Sequence, residues 1–382
     1  MSVRKREWTT RRGESKAAWV LDYRARDGKR HLETFSKKKD ADARASQVAV
    51  DCQDGVHVPD SESITVAKAG KNWIARRTRD GLERGTLTQY RGHLKDYIVP
   101  GLGKVKLADL STPHVSRFEG WMHDEKDASP VMRRKVITSL SSLLKVAMVD
   151  GEINRNVVSG YRVRDGTRGK KKIRVGVDIP TVEEIRAFLE ACNCKWRPFF
   201  MTAVFTGMRV SELRGLTWAD VNRNAGEIHV RQRADLYHEI GPPKSEAGDR
   251  VIPVGPKVLN ALRHWQLGCP WSPLGLVFPT RLGNVQSTSN IRKRGLMPTM
   301  EKAGIVDENG RAKYTGLHAL RHFYASWLIN PRENGGQGQS PKSVQAKLGH
   351  STLAMTMDTY AHLFPSDDDP EQLRAAEIAL VG

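Results

Sequence analysis

The sequence predicts a multidomain protein that is mainly α-helical, with small β elements near its start and in its last part. Its 382 residues exceed the size of one ordinary domain, so two or three domains are expected. The hydrophobic pattern changes twice along the chain, from alternation to helical spacing and then to a mixture of both. Hydrophobic residues make up 39% and charged residues 27%, which is typical of a soluble globular protein.

The net charge indicates the kind of partner. Lysine and arginine number 62 against 43 acidic residues, giving +19 at pH 7. Such an excess suits a polyanion, because each neutralised phosphate releases condensed counterions. The alternative is a basic solvated surface that serves solubility alone. We expect a nucleic acid.

The start of the chain and the cysteines indicate the cellular compartment in which the protein works. Met1–Trp8 is basic with no apolar segment behind it, and no apolar run approaches the about 18 residues of a membrane span. The four cysteines form no disulfide framework, and Cys192-Asn-Cys194 has no matching ligand pair for zinc. We therefore expect a cytoplasmic protein, bacterial and nucleoid-associated if DNA is its partner, with no membrane contact.

The first stretch predicts a small sheet followed by a helix. Within residues 8–36, Trp19–Tyr23 and His31–Phe35 alternate apolar and polar residues, and Asp27-Gly28 is typical of a hairpin turn. A helix is predicted from Ser36 onward, before a linker with Pro and Gly.

The second stretch predicts an all-helical domain. Between Ile64 and Tyr161 apolar residues recur at three and four positions. Pro100–Gly103 and Ser111–Pro113 are predicted to break the pattern into separate helices, and the second break also supplies a helix start.

A basic segment separates this domain from the last one. Arg162–Arg174 carries seven basic residues against one acidic residue, with no apolar periodicity. Two interpretations stay open, a solvated linker or a strand that runs along DNA.

The last stretch mixes helices and strands. Thr181–Glu184 fits a capping box that starts a helix. Gly226–Ile240 and Arg250–Val254 are predicted as strands on either side of a turn, and helices resume from Lys257.

Five short segments of this last part carry residues suited to phosphodiester chemistry. Transesterification at a phosphodiester needs a nucleophile, cations around the non-bridging oxygens and an acid for the leaving oxygen. In chain order the segments are Thr206-Gly-Met-Arg209-Val-Ser-Glu212-Leu, Pro243-Lys244-Ser-Glu-Ala-Gly-Asp-Arg250, His318-Ala-Leu-Arg321-His322, Leu348-Gly-His350-Ser and Thr359-Tyr360-Ala-His-Leu. Each is modest evidence alone, but all five in this order are specific.

The series resembles the tyrosine recombinases, the phage lambda-type integrase family, over the whole last domain. By resemblance Arg209 and Arg321 are the two arginines that clamp the scissile phosphate, a role that suits the planar, permanently charged guanidinium. Glu212 is then a structural partner. The alternative for Arg209 is a surface arginine that merely pairs with Glu212.

The resemblance makes Lys244 the hairpin lysine, the general acid that protonates the departing 5′ oxygen. No other lysine lies between Arg209 and Pro253, and a loop lysine can move into and out of a groove. The alternative is a solvated turn lysine.

Three histidines in these segments are candidates for a role at the phosphate. His318 shares a helical face with Arg321 and looks like a general base or hydrogen-bond donor. His350 occupies the family position that holds His or Trp, which implies positioning; its alternative is a buried structural histidine. His322 is predicted to point elsewhere, as a packing or surface residue.

Tyr360 is the nucleophile that the resemblance implies. A free tyrosine has a pKa near 10, so attack needs help. Two nearby guanidinium groups are expected to favour the phenolate, with His318 or His350 accepting the proton. The alternative is a core tyrosine.

No cofactor is expected. The chain has neither a carboxylate cluster with metal spacing nor a phosphate-binding loop. A phosphotyrosyl bond keeps the energy of the broken phosphodiester, so rejoining requires no ATP or Mg²⁺.

The resemblance extends to the whole chain. It implies an arm-type DNA-binding module at 1–58, a helical core-binding domain at 62–162, a basic linker at 163–178 and an α+β tyrosine-recombinase catalytic domain with a C-terminal tail at 179–382. The front module favours an integrase of a prophage or other mobile element over a cell-division resolvase.

The partners implied are double-stranded DNA with attachment sites and further copies of the chain in a homotetramer, and a DNA-bending protein and an excisionase are compatible with them. The tail pattern Gln372–Leu380 predicts an amphipathic helix that docks on a neighbouring protomer or on its own domain. A type IB topoisomerase and a non-catalytic DNA-binding regulator remain as alternative functions.

Overall fold

The computed structural model describes residues 1–10, 14–24, 30–53, 63–163, 172–365 and 370–381. Two compact units are present, Met1–Arg168 and Gly169–Gly382. The predicted fold class, mainly helical with an N-terminal sheet module, is confirmed. Of the helices among the described residues, none has the length and apolar character needed to cross a membrane.

The first unit begins with an antiparallel sheet in the order β1-β2-β3, followed by a helix. The elements are β1 (Ser2–Thr9), β2 (Ser15–Arg24), β3 (Arg30–Phe35) and α1 (Lys38–Gln53). The prediction began the strands at residue 8 and missed most of β1. This edge strand is almost wholly exposed and is held by backbone pairing with β2, so it carries no hydrophobic alternation. The Asp27-Gly28 turn lies outside the described residues.

A small core joins this sheet to α1. Leu21, Tyr23 and Val48 are buried in it. The Tyr23 hydroxyl donates to Glu33 Oε1 at 2.9 Å, and Arg44 Nε donates to Glu33 Oε2 at 2.8 Å. The sheet and the helix are therefore joined by hydrogen bonds as well as by apolar contact.

A helical bundle forms the rest of the first unit. Its helices are α2 (Val66–Arg79), α3 (Arg84–His93), α4 (Val99–Leu102), α5 (Thr112–Asp124) and α6 (Pro130–Val149). Trp73 is fully buried at its centre, among the apolar faces of these helices. The start predicted at Ser111–Pro113 is confirmed, since Ser111 is the N-cap of α5.

The break predicted at Pro100–Gly103 falls at the last residue of that segment. A π-helical turn, Leu94–Ile98, connects α3 directly to α4, so the chain stays helical through Pro100 and leaves the helix at Gly103. The wider turn lies just before the proline, whose ring and missing N–H disrupt a regular α-helical ladder.

The second unit is α+β. Its helices are α7 (Val182–Ala191), α8 (Arg197–Thr206), α9 (Val210–Gly215), α10 (Pro256–Gly268), α11 (Thr288–Asn290), α12 (Met297–Lys302), α13 (His318–Ile329), α14 (Pro341–Leu348), α15 (Leu353–Tyr360) and α16 (Pro370–Val381). The capping box predicted at the start of α7 is confirmed, because Thr181 and Glu184 exchange both hydrogen bonds.

Two small sheets lie between α9 and α10. The strands are β4 (Val221–Asn222), β5 (Glu227–Val230), β6 (Arg233–Ala234), β7 (Ile240–Gly241) and β8 (Arg250–Pro253), in the orders β4-β5-β8 and β6-β7. The strand predicted over Gly226–Ile240 is thus interrupted. At the interruption Arg231 pairs with Asp220, and Gln232 Nε2 donates to the Gly215 carbonyl at 2.6 Å.

The end of the segment predicted as a basic linker packs on the second unit. Ile173 contacts its core, and His362 Nε2 donates to the Ile173 carbonyl at 2.6 Å. Most of the basic run itself lies outside the described residues, and so does the start of the acidic stretch before α16.

Candidate active site

Four helical segments of the second unit bring the motif residues together. Arg209 is the N-cap of α9, His318 and Arg321 lie in the first turn of α13, His350 follows α14, and Tyr360 is the last residue of α15. The segments at Arg209, at α13 and at α14 with α15 are separated in the chain and come together in the fold.

A buried carboxylate anchors the cluster. Glu212 is 2% exposed and accepts from the Arg209 backbone N–H at 2.9 Å and from Arg209 Nη1 at 2.7 Å. Arg250 Nη2 donates at 2.9 Å to Oε2, the oxygen that also accepts the Arg209 backbone N–H. Burial alone would raise the pKa of Glu212, but Arg250 and then Arg209 hold the pKa below its usual value. The carboxylate therefore stays ionised and fixes two guanidinium groups.

Arg250 is a site residue that the sequence reasoning did not single out. Arg250 is 8% exposed, and its Nε donates to the Lys347 carbonyl at 2.8 Å, a bond that connects β8 to α14. It stands in a quoted motif, and its spacing of two from Ile252 puts both on the inward face of β8, which was the available signal.

Backbone carbonyls hold the two candidate phosphate clamps. Arg321 donates from Nη1 to the Gly207 carbonyl at 2.7 Å and from Nη2 to the Leu348 carbonyl at 2.6 Å. Arg209 Nη2 donates to the Gly349 carbonyl at 3.0 Å. Neutral carbonyls orient Arg321 without neutralising it, whereas Arg209 is held by a carbonyl and by the Glu212 carboxylate together. Each guanidinium has N–H groups beyond these bonds.

Gly349 explains why the Leu-Gly-His motif needs glycine. Its φ of 63° closes the end of α14, and a Cβ there would stand 2.7 Å from the Ala247 carbonyl oxygen and 2.8 Å from Arg250 Nη1. Only glycine satisfies both the left-handed backbone and this close approach.

The two arginines differ in depth. The Arg209 side chain is 30% exposed, whereas Arg321 is 2% exposed. Burial, then the charge of Arg209, lowers the pKa of Arg321 to about 9, so it is still cationic at neutral pH. Arg209 faces solvent, whereas Arg321 lies deeper in the protein.

His318 and His350 are neutral at physiological pH. Burial, reinforced by nearby positive groups, lowers the pKa of each to about 4. His350 Nδ1 lies 2.9 Å from Thr356 Oγ1, a bond that fixes its ring. Neutral imidazoles beside the arginines can donate a hydrogen bond to a phosphate oxygen without adding repulsion to the cluster.

These histidines predict an acid sensitivity of folding. An unfolded histidine titrates near 6.5, but His318 and His350 take up protons in the folded state only near pH 4. The unfolded state therefore binds more protons between these values, and stability falls as pH drops from about 6.5 toward 4. Chemical denaturation across this range measures the effect. The double change His318→Gln with His350→Gln should flatten the slope, and an unaltered slope would contradict the assignment.

Tyr360 is buried and is not presented at the surface for attack on a phosphate. It is 2% exposed and packs with Tyr324, Leu328 and Leu348. Burial raises its pKa to about 12, and Arg321 is the cation that acts against this. Of the two guanidinium groups expected to favour the phenolate, Arg321 acts in that direction, but burial of the ring in an apolar cluster outweighs it.

The Tyr360 hydroxyl has a partner that the sequence interpretation placed elsewhere. His322 Nδ1 lies 2.7 Å from Tyr360 Oη, and the rings of His318 and His322 stand 4.7 Å apart, edge to face. The prediction that His322 points away is wrong. It lies four residues after His318, which puts both on one helical face, and that spacing was the missed signal.

Lys244 lies on the loop between β7 and β8. Its side chain is exposed, and a short 3-10 turn, Glu246–Gly248, follows it. The loop ends at Arg250, which is anchored to Glu212. Lys244 thus extends from a loop whose far end is fixed in the cluster.

The site combines fixed arginine cations, neutral histidines and a neighbouring tyrosine. The cations and histidines suit an anionic phosphate, and the tyrosine suits a nucleophile. Among the residues that the structure describes, no group of three or more His, Cys, Asp or Glu side chains could hold a metal ion. The fold and this site define the class of enzymes that cleave and rejoin DNA.

Comparison with known proteins names the family. Residues 179–367 match the Phage integrase family. The second unit therefore carries a domain of that family, the tyrosine recombinases.

Relatives of similar length support the same placement. A "Tyrosine recombinase XerC-like" protein of Caldanaerobacter subterraneus subsp. tengcongensis is 25% identical over 358 residues, covering 86% of each chain. An "Integrase" of Streptomyces ambofaciens is 25% identical and covers 87% of this chain and 85% of its own. The "ICEBs1 integrase" of Bacillus subtilis is 24% identical over 72% of each.

Solved structures share the fold. The Tn1549 transposon integrase, in complex with a circular intermediate DNA, superposes with a TM-score of 0.66 at 21% identity, covering 84% of this chain and 100% of that one. A lambda integrase dimer bound to a COC′ core site gives a TM-score of 0.57 at 18% identity, covering 92% and 93%.

Proposed function

We propose that this recombinase cuts one DNA strand by attack of Tyr360 on the scissile phosphate, forming a 3′-phosphotyrosyl bond and freeing a 5′ hydroxyl. The observation that carries this is the convergence of Arg209, His318, Arg321, His350 and Tyr360 from four separated segments. A buried core tyrosine alone would not require two arginines fixed by carbonyls beside it.

The arginines bind and polarise the phosphate. Arg209 is accessible and meets the phosphate first, while Arg321 adds charge from beneath it. Charge is most valuable where water is excluded, so a rigid clamp stabilises the extra negative charge of the transition state. Glu212 and Arg250 keep this clamp in place without contacting the DNA.

Proton transfers complete the step. Lys244 is the general acid for the 5′ oxygen, since its exposed loop position allows it to reach a bound duplex. His318 and His350 are hydrogen-bond donors to the phosphate. Rejoining reverses the sequence, with a 5′ hydroxyl attacking the phosphotyrosine.

The biological role is integration and excision of a mobile element or prophage. This is supported by relatives named as integrases of such elements, including the "Prophage integrase IntR" of Escherichia coli. In this role residues 1–58 bind arm-type sites, 62–162 bind the core site, and 163–178 link them to the catalytic domain at 179–382.

Recombination of two duplexes takes four protomers, and the C-terminal helix is the candidate connector. The described side chains of α16 are exposed, including Ile378, Leu380 and Val381. Apolar side chains left in solvent favour docking in trans on a neighbouring protomer. A DNA-bending protein and an excisionase are the accessory partners proposed.

Adduct capture tests the function. Wild-type protein is incubated with nicked duplexes of randomised sequence, and covalent complexes are isolated in denaturant. Sequencing of the captured DNA should yield a preferred site, and mass spectrometry should place the nucleotide on Tyr360. Absence of any adduct, or an adduct on another residue, refutes the proposal. Efficient capture with no sequence preference indicates a topoisomerase instead.

A further inference from the structure

A histidine contacts the reacting atom of Tyr360. The 2.7 Å distance between His322 Nδ1 and the Tyr360 hydroxyl oxygen is a hydrogen bond in the normal range for this pair. The two rings meet edge to face with centroids 5.7 Å apart. Tyr360 is the last residue of α15, and His322 lies on α13 one turn beyond His318. The contact therefore joins the nucleophile to the helix that carries Arg321.

Three histidines compete for the tyrosine proton, and their surroundings differ. His350 has Nδ1 engaged by Thr356. Positive groups, Arg321 and Arg209 among them, act on both His318 and His350 and disfavour added charge. His322 is the one with an acidic neighbour, since Asp178 raises its pKa against the lowering by burial and by Arg321. An imidazolium at His322 thus has support that the other two positions lack.

We propose that His322 is the general base of strand cleavage, accepting the Tyr360 proton at Nδ1 as the tyrosine attacks phosphorus. This assignment rests on the proposed role of Tyr360 as nucleophile. In the step, the Oη–H bond breaks and its proton moves to His322, a bond forms between Oη and phosphorus, and the bond from phosphorus to the 5′ oxygen breaks. Lys244 protonates that leaving oxygen. In rejoining His322 returns the proton to the phenol.

The groups that face His322 make this transfer dependent on DNA. They are His318, Arg321, Asp178 and Tyr360. Without a phosphate, burial and Arg321 lower the pKa of His322, while burial raises the pKa of Tyr360 to about 12. The proton then stays on the phenol. A phosphate bound at the arginines offsets their charge, which raises the basicity of His322 when the target is in place.

Replacement by asparagine separates positioning from proton transfer. His322→Asn keeps a hydrogen-bond acceptor near the position of Nδ1 but cannot take up a proton at neutral pH. On the duplex selected by wild-type protein, we expect adduct formation about 100-fold slower or worse with unchanged DNA affinity, a typical loss for a general base. The rate of the variant should keep climbing with pH where wild type levels off. Adding imidazole to His322→Ala should restore part of the rate.

The controls make each outcome informative. Thermal melting of His322→Asn and His322→Ala verifies that both fold. A duplex with a sulfur in place of the bridging 5′ oxygen needs no acid, so it should rescue Lys244→Ala and leave His322→Asn slow. A near-wild-type rate and pH profile for His322→Asn overturns the base assignment, and so does rescue of this variant by the sulfur substrate. If wild type itself forms no adduct at Tyr360, it is the proposed function that fails.

Discussion

Tyr360→Phe is expected to abolish the covalent protein–DNA complex, lowering its rate of formation by at least about 10⁴-fold. Phenylalanine lacks the attacking oxygen but keeps the ring that fills the cluster with Leu328 and Leu348. DNA binding should be retained because the arginines are untouched. The lost hydrogen bond to His322 costs only about 1 kcal/mol of stability. Denaturing gels with the selected duplex measure the adduct.

Tyr324→Phe is the matched control. Tyr324 is also 2% exposed, belongs to the same apolar cluster, and has a pKa that burial raises to about 12. Burial and a raised pKa are therefore common to both tyrosines, and the contact with His322 distinguishes Tyr360. Tyr324→Phe should form adduct normally. Equal adduct from Tyr360→Phe and wild type would eliminate Tyr360 as the nucleophile.

Glu212→Gln is expected to cause the largest loss of stability, about 3–5 kcal/mol in the free energy of unfolding. The change leaves Arg250, 8% exposed, as a buried cation without its carboxylate, and it also loosens Arg209. Adduct formation should fall as well, since one phosphate clamp loses its support. Chemical denaturation of the full chain measures the first effect.

The pH dependence of the stability difference between wild type and Glu212→Gln shows whether the ionised carboxylate causes it. The pKa of Glu212 is lowered on folding, so its ionised form adds stability above the unfolded value near 4.3. That contribution is lost as pH falls through the folded pKa. The gap between wild type and Glu212→Gln should therefore shrink in acid. Glu246→Gln, at an exposed loop position, should change stability by less than about 0.5 kcal/mol. Equal stability of Glu212→Gln and wild type at neutral pH would disprove the anchor.

Much of the fold could be predicted because local rules act on neighbouring residues. The capping box of α7 involves Thr181 and Glu184 and requires no tertiary context. The prediction was less successful where backbone hydrogen bonds to a neighbouring strand, and not a hydrophobic pattern, hold an element in place. Strand β1 is held by hydrogen bonds to β2 with almost no buried face, so its sequence carries no alternation. Pro100 stays within a helix because a π-helical turn precedes it, an adjustment that composition does not encode.

The candidate site divides in the same way. By itself the sequence determined which chemical groups are available and their order, from Arg209 to Tyr360, because side-chain chemistry and motif spacing are properties of the chain alone. Only the tertiary structure decided what each group touches. It made Glu212 a shared anchor for Arg209 and Arg250, and it buried Tyr360 against His322. The contacts of Glu212 with Arg250 and of Tyr360 with His322 each join residues 38 positions apart, and burial sets the pKa values on which their chemistry depends.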